Sequence, residues 1–240
     1  AYVYYGGASM NNGADVIMTG EAAQDQFGYS VSNAGDVNGD GYSDVIVGAN
    51  LNDAGGTNCG RAYIYFGGST MNNVSDVVLT GETAYDFFGQ SVSTAGDVNN
   101  DGYSDVIVGA PYSDSVAADA GRAYIYFGGT NMNNSKDLTM TGEGYDDSFG
   151  ASVSFAGDLN GDGFSDVIIG ANSYYGNKLG KAYIYFGGIN MNNVYNIRIT
   201  SATLRSNFGS SLSFAGDVNS DRYDDVIIGA YYNEGTSVGP

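Results

Sequence analysis

Four times along the chain the same nine-residue acidic pattern, D-x-N-x-D-x-x-x-D, separates two apolar segments, and the second segment ends in Gly-Ala. The copies run Asp36 to Asp44, Asp97 to Asp105, Asp158 to Asp166 and Asp217 to Asp225, at spacings of 61, 61 and 59 residues. A period of that size marks a repeat architecture, in which each unit buries its apolar surface by stacking on its neighbours.

The three Asp carboxylates that each pattern packs beside an Asn within nine residues repel one another unless a positive charge lies among them. A hard divalent cation answers this best, because calcium takes six to eight oxygen ligands and alternate residues of a tight loop supply them. The spacing predicts Asp36, Asn38, Asp40 and Asp44 as side-chain ligands, with the carbonyl of Tyr42 between them. The same places hold Asp97, Asn99, Asp101, Tyr103 and Asp105, then Asp158, Asn160, Asp162, Phe164 and Asp166. Gly41, Gly102 and Gly163 occupy the sixth position, where a positive φ is expected. The fourth loop has Asp217, Asn219, Asp221, Tyr223 and Asp225 but places Arg222 at the sixth position, with Asp224 near enough in sequence to offset its charge. An EF-hand also needs a Glu at the twelfth position and flanking helices. Val47, Val108, Ile169 and Ile228 stand there instead, so the expectation is a β-framed loop for up to four Ca2+ ions. The competing reading is an Asp/Asn/Gly turn without metal, which does not require acid at four fixed offsets.

Around each loop the pattern is that of strands. FGYSVSNAGDV alternates large and small residues, DVIVGA is a short continuous apolar run, GRAYIYFGG alternates again, and VVLTGE makes a fourth strand. No segment carries a helical period. Four strands in about 60 residues reads as a blade, and the expected fold is an all-β propeller of four-stranded antiparallel blades. The repeat runs without a linker, so residues 1–240 are read as one domain, in phases 1–61, 62–122, 123–181 and 182–240. Ala1 has the phase of Ala62, Ala123 and Ala182, and Gly239-Pro240 that of Gly180-Lys181. The first 21 residues thus offer strands three and four of a blade whose strands one and two lie at 208–230. Such halves can join within one molecule, between molecules, or within a longer array.

The net charge of −19 opposes binding to nucleic acid or to an anionic membrane surface. No apolar run is long enough for a transmembrane helix, and no signal segment opens the sequence. Cys59 is the only cysteine, so no internal disulfide forms. The millimolar calcium outside cells suits loops of this kind, and an extracellular, secreted or cell-surface location is expected. With no His in the chain, Ser-His-Asp catalysis and most zinc sites are excluded. A carboxylate pair involving a residue such as Glu143 remains the only enzymatic reading, and the chain is read as a non-enzyme.

Phe27-Gly28, Phe88-Gly89, Phe149-Gly150 and Phe208-Gly209, each followed by an acidic loop and then Gly-Ala (Gly109-Ala110-Pro111 in full), resemble FG-GAP repeats. Such repeats form the blades of the integrin α-subunit propeller and of many bacterial surface proteins. The resemblance implies calcium in the loop between the first and second strands, and ligand contact from the opposite face. It places the loops at 50–60, 111–121, 172–180 and 231–240 on that face, where Tyr112, Tyr174, Tyr175, Tyr231 and Tyr232 could contact a protein or glycan, or another copy of the chain. The alternative is that these tyrosines pack between blades. The repeated Met-Asn-Asn triplets and the Glu of each Thr-Gly-Glu are read as structural. The function expected is adhesion or ligand binding, with a structural subunit joined by strand exchange, or an accessory domain of a larger secreted protein, as alternatives.

Overall fold

The structure is a computed structural model that describes residues 1–173 and 178–231, and every structural statement below concerns those residues. It is all-β. An N-terminal pair, β1 (Tyr2–Val3) and β2 (Val16–Ile17), is followed by three four-stranded sheets and a C-terminal pair. The first sheet holds β3 (Ser30–Gly35), β4 (Asp44–Ala49), β5 (Arg61–Tyr65) and β6 (Val77–Thr80). In the second lie β7 (Ser91–Gly96), β8 (Asp105–Ala110), β9 (Arg122–Tyr126) and β10 (Leu138–Thr141). The third is built from β11 (Phe149–Gly157), β12 (Asp166–Ala171), β13 (Leu179–Tyr185) and β14 (Ile197–Leu204), and the last pair is β15 (Phe208–Gly216) with β16 (Asp225–Ala230). Every neighbouring pair is antiparallel and follows chain order, the arrangement of propeller blades.

Each four-stranded sheet is sandwiched between others, which explains why DVIVGA is buried on both faces and why the alternating RAYIY buries both its sets of side chains. Ile46, Ile64 and Leu79 of one blade pack against Val92, Val106, Val108, Tyr124 and Tyr126 of the next. Ile107, Ile125 and Met140 meet Val153, Val167, Ile169, Tyr183 and Tyr185 in the same way. A blade therefore has an Ile face and a Val/Tyr face, set by the period of two along each strand. In the three complete blades the Phe of Phe-Gly locks the Tyr pair of its own blade: Phe88 lies 5.5 Å from Tyr124 and 6.4 Å from Tyr126, ring to ring.

The first strand of the pattern begins later than the sequence suggests, at Ser30 and Ser91 rather than Phe27 and Phe88. Gly28 and Gly89, at φ 89° and 84°, bend the chain there. In β11 and β15 the strand runs from the Phe but shifts register directly after it.

The Met-Asn-Asn triplets are structural. Asn72, Asn133 and Asn192 each accept a hydrogen bond from the amide two residues on. Met71, Met132 and Met191 pack against the core. The terminal pairs are the half-blades that the repeat phase implies, and they form separate sheets. In β1–β2 the Tyr5 amide donates to Asp15 at 2.6 Å, as Phe66 donates to Asp76 at 2.7 Å in the complete blade.

Candidate functional site

The acidic loops join the first and second strands of each blade, at one end of the sheets. The variable loops join the second and third, and antiparallel pairing puts them at the other end.

Within the first loop the side chains are tied to backbone amides. Asp36 accepts from Gly39 at 2.7 Å, Asp40 at 3.1 Å and Gly41 at 2.9 Å; Asn38 Oδ1 accepts from Asp40 at 2.9 Å, and Asp40 accepts from Tyr42 at 2.9 Å. Asp44 is fully buried and bridges two segments, accepting from Val37 at 2.8 Å and Gly67 at 2.7 Å. Asp97, Asn99, Asp101 and Asp105 repeat the scheme, as do Asp158, Asn160, Asp162 and Asp166. Gly41, Gly102 and Gly163 take φ of 89°, 92° and 88° as expected, and Arg222 is forced to 81° in the fourth loop. No atom would obstruct a side chain at the three glycines, so it is φ that selects glycine there.

The fourth loop departs in a second respect. Asp217, Asn219, Asp221 and Asp225 keep the amide bonds, but Asp225 is partly exposed where Asp44, Asp105 and Asp166 are completely buried. Asp217 is held below the ordinary carboxylate range, chiefly by the Arg222 amide. Asp224 is turned to the Asp158 amide of the preceding blade at 2.8 Å, and no ion pair with Arg222 is present among the described residues.

Electrostatically the loops are uncompensated. None of the ion pairs among the described residues involves a loop aspartate. Burial pushes Asp105 up to about 7 and Asp166 up to about 6, and the neighbouring loop carboxylates add to the shift. No three acidic side chains are gathered into a ready-made cage among the described residues. The donor chemistry nevertheless fits a hard cation, since a carboxylate oxygen that accepts one amide hydrogen retains further lone-pair capacity.

The opposite end holds residues that sequence reasoning left aside. Asp25, Asp86 and Asp147 are buried, two residues before the Phe of the first three Phe-Gly pairs. Asp25 accepts from Asn52 Nδ2 at 2.7 Å and from the Ala22 amide at 3.2 Å, tying the variable loop to the loop that enters the blade. Glu21 takes two hydrogen bonds from Arg61, at 2.9 and 2.7 Å. Glu82 pairs with Arg122 and Lys136, and Glu143 with Lys181 at 3.1 Å and Arg198 at 2.9 Å. Burial raises the Glu143 pKa, but Lys181 and Arg198 outweigh it and bring it down to about 2. Held ionised between two cations, Glu143 is poorly suited to act as a general acid. The partners of these glutamates lie 38 to 55 residues away, a separation that no local motif reveals.

Of the ligand-face tyrosines, Tyr112 is half-buried and stands edge-on to Phe87, with ring centroids 5.1 Å apart. Tyr231 is 64% exposed. Tyr174, Tyr175 and Tyr232 lie outside the described residues.

Antiparallel blades with an acidic loop at one end and a variable loop at the other define a β-propeller-type repeat protein. The FG-GAP repeat family matches residues 27–65, 88–126, 149–185 and 208–239, and the chain belongs to that family. It is 34% identical to integrin alpha-5 of Xenopus laevis over 183 residues, 70% of this chain and 17% of that protein. Integrin alpha-8 of Gallus gallus is 32% identical over 219 residues, 85% of this chain and 20% of its own length. Integrin alpha-7 of Mus musculus is 36% identical over 167 residues, 68% and 14% respectively. The chain thus spans about a fifth or less of these relatives.

Proposed function

We propose that residues 1–240 form one non-catalytic, extracellular ligand-binding or adhesion module whose acidic loops hold calcium. The observation that carries this reading is the repeated set of loop carboxylates, partly buried and without a Lys or Arg partner among the described residues. In the first loop Asp36, Asn38, Asp40, Asp44 and the Tyr42 carbonyl would hold the ion, and the corresponding residues would do so in the others. A bound cation would neutralise the crowded charge and fix the loop against the strands it joins. Likeness to integrin alpha chains supports an adhesive role, and the variable loops on a rigid frame suit a protein or glycan partner at a cell surface or matrix.

Isothermal titration of chelator-treated protein with calcium tests the first half of this reading. Saturable heat with more than one site per chain is expected, and its absence in folded protein overturns it. Exchange of residues 111–121 for an unrelated loop should abolish partner binding while the melting temperature holds.

A further inference from the structure

We propose that the third four-stranded blade carries a binding site for an acidic saccharide, whose carboxylate or sulfate group sits among Lys178, Lys181 and Arg198 while a sugar ring lies on Tyr145. This names a ligand class for the variable-loop end of the blades. It rests on the ligand-binding reading above and not on calcium.

The site is an open cleft of about 530 Å³, lined by Glu143, Asp147, Lys178, Lys181, Arg198 and Leu204 among others. Three of the eight Lys and Arg in a chain of net charge −19 thus converge on one opening, against two carboxylates. Lys181 is shared between Glu143 at 3.1 Å and Asp147 at 3.3 Å, Arg198 reaches Glu143 at 2.9 Å, and Lys178 stands 3.5 Å from Asp147. The lining groups therefore carry more positive charge than their own acids neutralise. Arg205 adds to the excess: its amide donates to the Lys178 carbonyl at 3.3 Å, and it is exposed, with no ion pair among the described residues.

The first two complete blades fold without this charge. There the buried carboxylate before Phe-Gly is hydrogen-bonded by uncharged groups: Asp25 accepts from Asn52 Nδ2 at 2.7 Å, and Asp86 from the Thr83 amide at 3.0 Å. In the third blade Ser173, whose amide donates to the Asp147 carbonyl at 3.2 Å, is 2% exposed, yet its hydroxyl has no hydrogen-bond partner among the described residues. Asp147 is met by the two lysines instead. Lys178 stands where the earlier blades have Asn58 and Asp119. Arg198 pairs with Tyr183 at the register where Val78 pairs with Tyr63 and Thr139 with Tyr124. The cations are thus particular to this blade and are not a demand of the repeat.

Exposed aromatic rings beside the cations favour a saccharide. Tyr145 is 60% exposed, and the Lys178 ammonium lies 6.0 Å from its ring centre while also donating to the Tyr145 carbonyl. Tyr195 is 37% exposed, with the Arg198 guanidinium 6.0 Å from its centre. The face of an aromatic ring is electron-rich, and the C–H bonds of a pyranose carry small positive charges, so a sugar ring lies flat on a tyrosine. A cation beside that ring then takes the acid group of the same sugar through charge-assisted hydrogen bonds. An acidic peptide carries its carboxylates on flexible stems and has no use for the flat rings. The negative charge of the whole chain does not forbid this, because repulsion between exposed charges fades beyond about 8 Å at physiological ionic strength. The loop aspartates, moreover, lie at the other end of the blades.

Titration calorimetry of the whole chain at fixed calcium tests this with a glucuronate-containing tetrasaccharide, its sulfated form and its methyl ester. At least one charged form should bind, and the uncharged ester should bind about tenfold more weakly or not at all, as expected for loss of a charge-assisted hydrogen bond. The stronger of the two charged forms identifies the acid group as carboxylate or sulfate. Lys178→Gln and Arg198→Gln should each weaken binding by a similar factor, and Tyr145→Ala should weaken it too. Arg61→Gln, which removes a cation of the first blade, should leave it unchanged. Four results overturn the inference: no binding of either acidic saccharide, equal affinity for the ester, wild-type affinity in both glutamine variants, or tighter binding of tetraglutamate. The comparison of acid with ester uses unaltered protein, so it decides the matter even where a variant fails to fold. If exchange of residues 111–121 abolishes partner binding while acidic saccharides are ignored, the ligand-binding reading stands and this inference falls.

Discussion

Gly48 of the first blade faces the carbonyl of Gly89 of the second so closely that a Cβ on Gly48 would lie 2.1 Å from that oxygen. The same approach joins Gly109 to Gly150 and Gly170 to Gly209, at 2.0 Å in each case. One partner is the Gly of Phe-Gly and the other the Gly of Gly-Ala, so the two halves of the repeated motif are a single contact between successive blades. Ser30, Ser91 and Ser152 seal it, each donating its hydroxyl to the carbonyl of the Phe-Gly glycine in the next blade.

Gly109→Ala should therefore destabilise the chain, because its new methyl group meets backbone that cannot yield. Overpacking of a filled interior costs about 1–3 kcal/mol, and a urea midpoint lowered at constant slope would register it. Gly229→Ala should cost less, since only the Ser211 side chain and backbone lie within reach.

Replacing Arg222 by glycine should act in the opposite direction. Arg222 sits at φ 81°, where a residue with a Cβ pays about 1–2 kcal/mol. Relief of that strain should raise the unfolding midpoint, and in a calcium titration the fourth loop should bind more tightly.

Phe149→Ala should cost about 3–5 kcal/mol, the range for truncating a buried phenylalanine, since its ring is fully buried against Tyr183 and Tyr185. Phe208→Ala should cost less in the single chain, where Phe208 is only half-buried. Equal losses in denaturation experiments would contradict the role given to the Phe-Tyr lock.

The Glu143 cluster makes a pH prediction. With its folded pKa depressed from 4.5 to about 2, Glu143 contributes stability that is present above 4.5 and is lost as pH falls through the folded value. The stability difference between the wild type and Glu143→Gln should hold at neutral pH and shrink between 4.5 and about 2. Because the carboxylate is 34% exposed, salt should reduce the difference as well.

Removal of divalent cations should lower the melting temperature if the loops bind calcium as proposed. A ligand at a hundredfold excess over its dissociation constant adds about 2.7 kcal/mol per site. Identical melting curves in calcium and in excess chelator would refute it.

Strand order, repeat count and the positive φ at the sixth loop position were legible because each is written locally: alternation, a continuous apolar run, a glycine at a fixed offset. Even Arg222 obeyed the loop's φ against its own preference. Asp25, Asp86 and Asp147 escaped notice because their partners lie on a loop brought near only by the completed blade. The Glu21 to Arg61 pairing escaped for the same reason, since it needs the blade geometry before either charge has a neighbour. The loop aspartates were legible as a set, but their engagement with backbone amides follows from the turn itself and not from spacing.

The unlike faces of each blade give the series a direction. An Ile face must meet a Val/Tyr face, so a blade turned about would set like against like and lose both the glycine approach and the serine seal. Growth by added repeats can then proceed in one sense only.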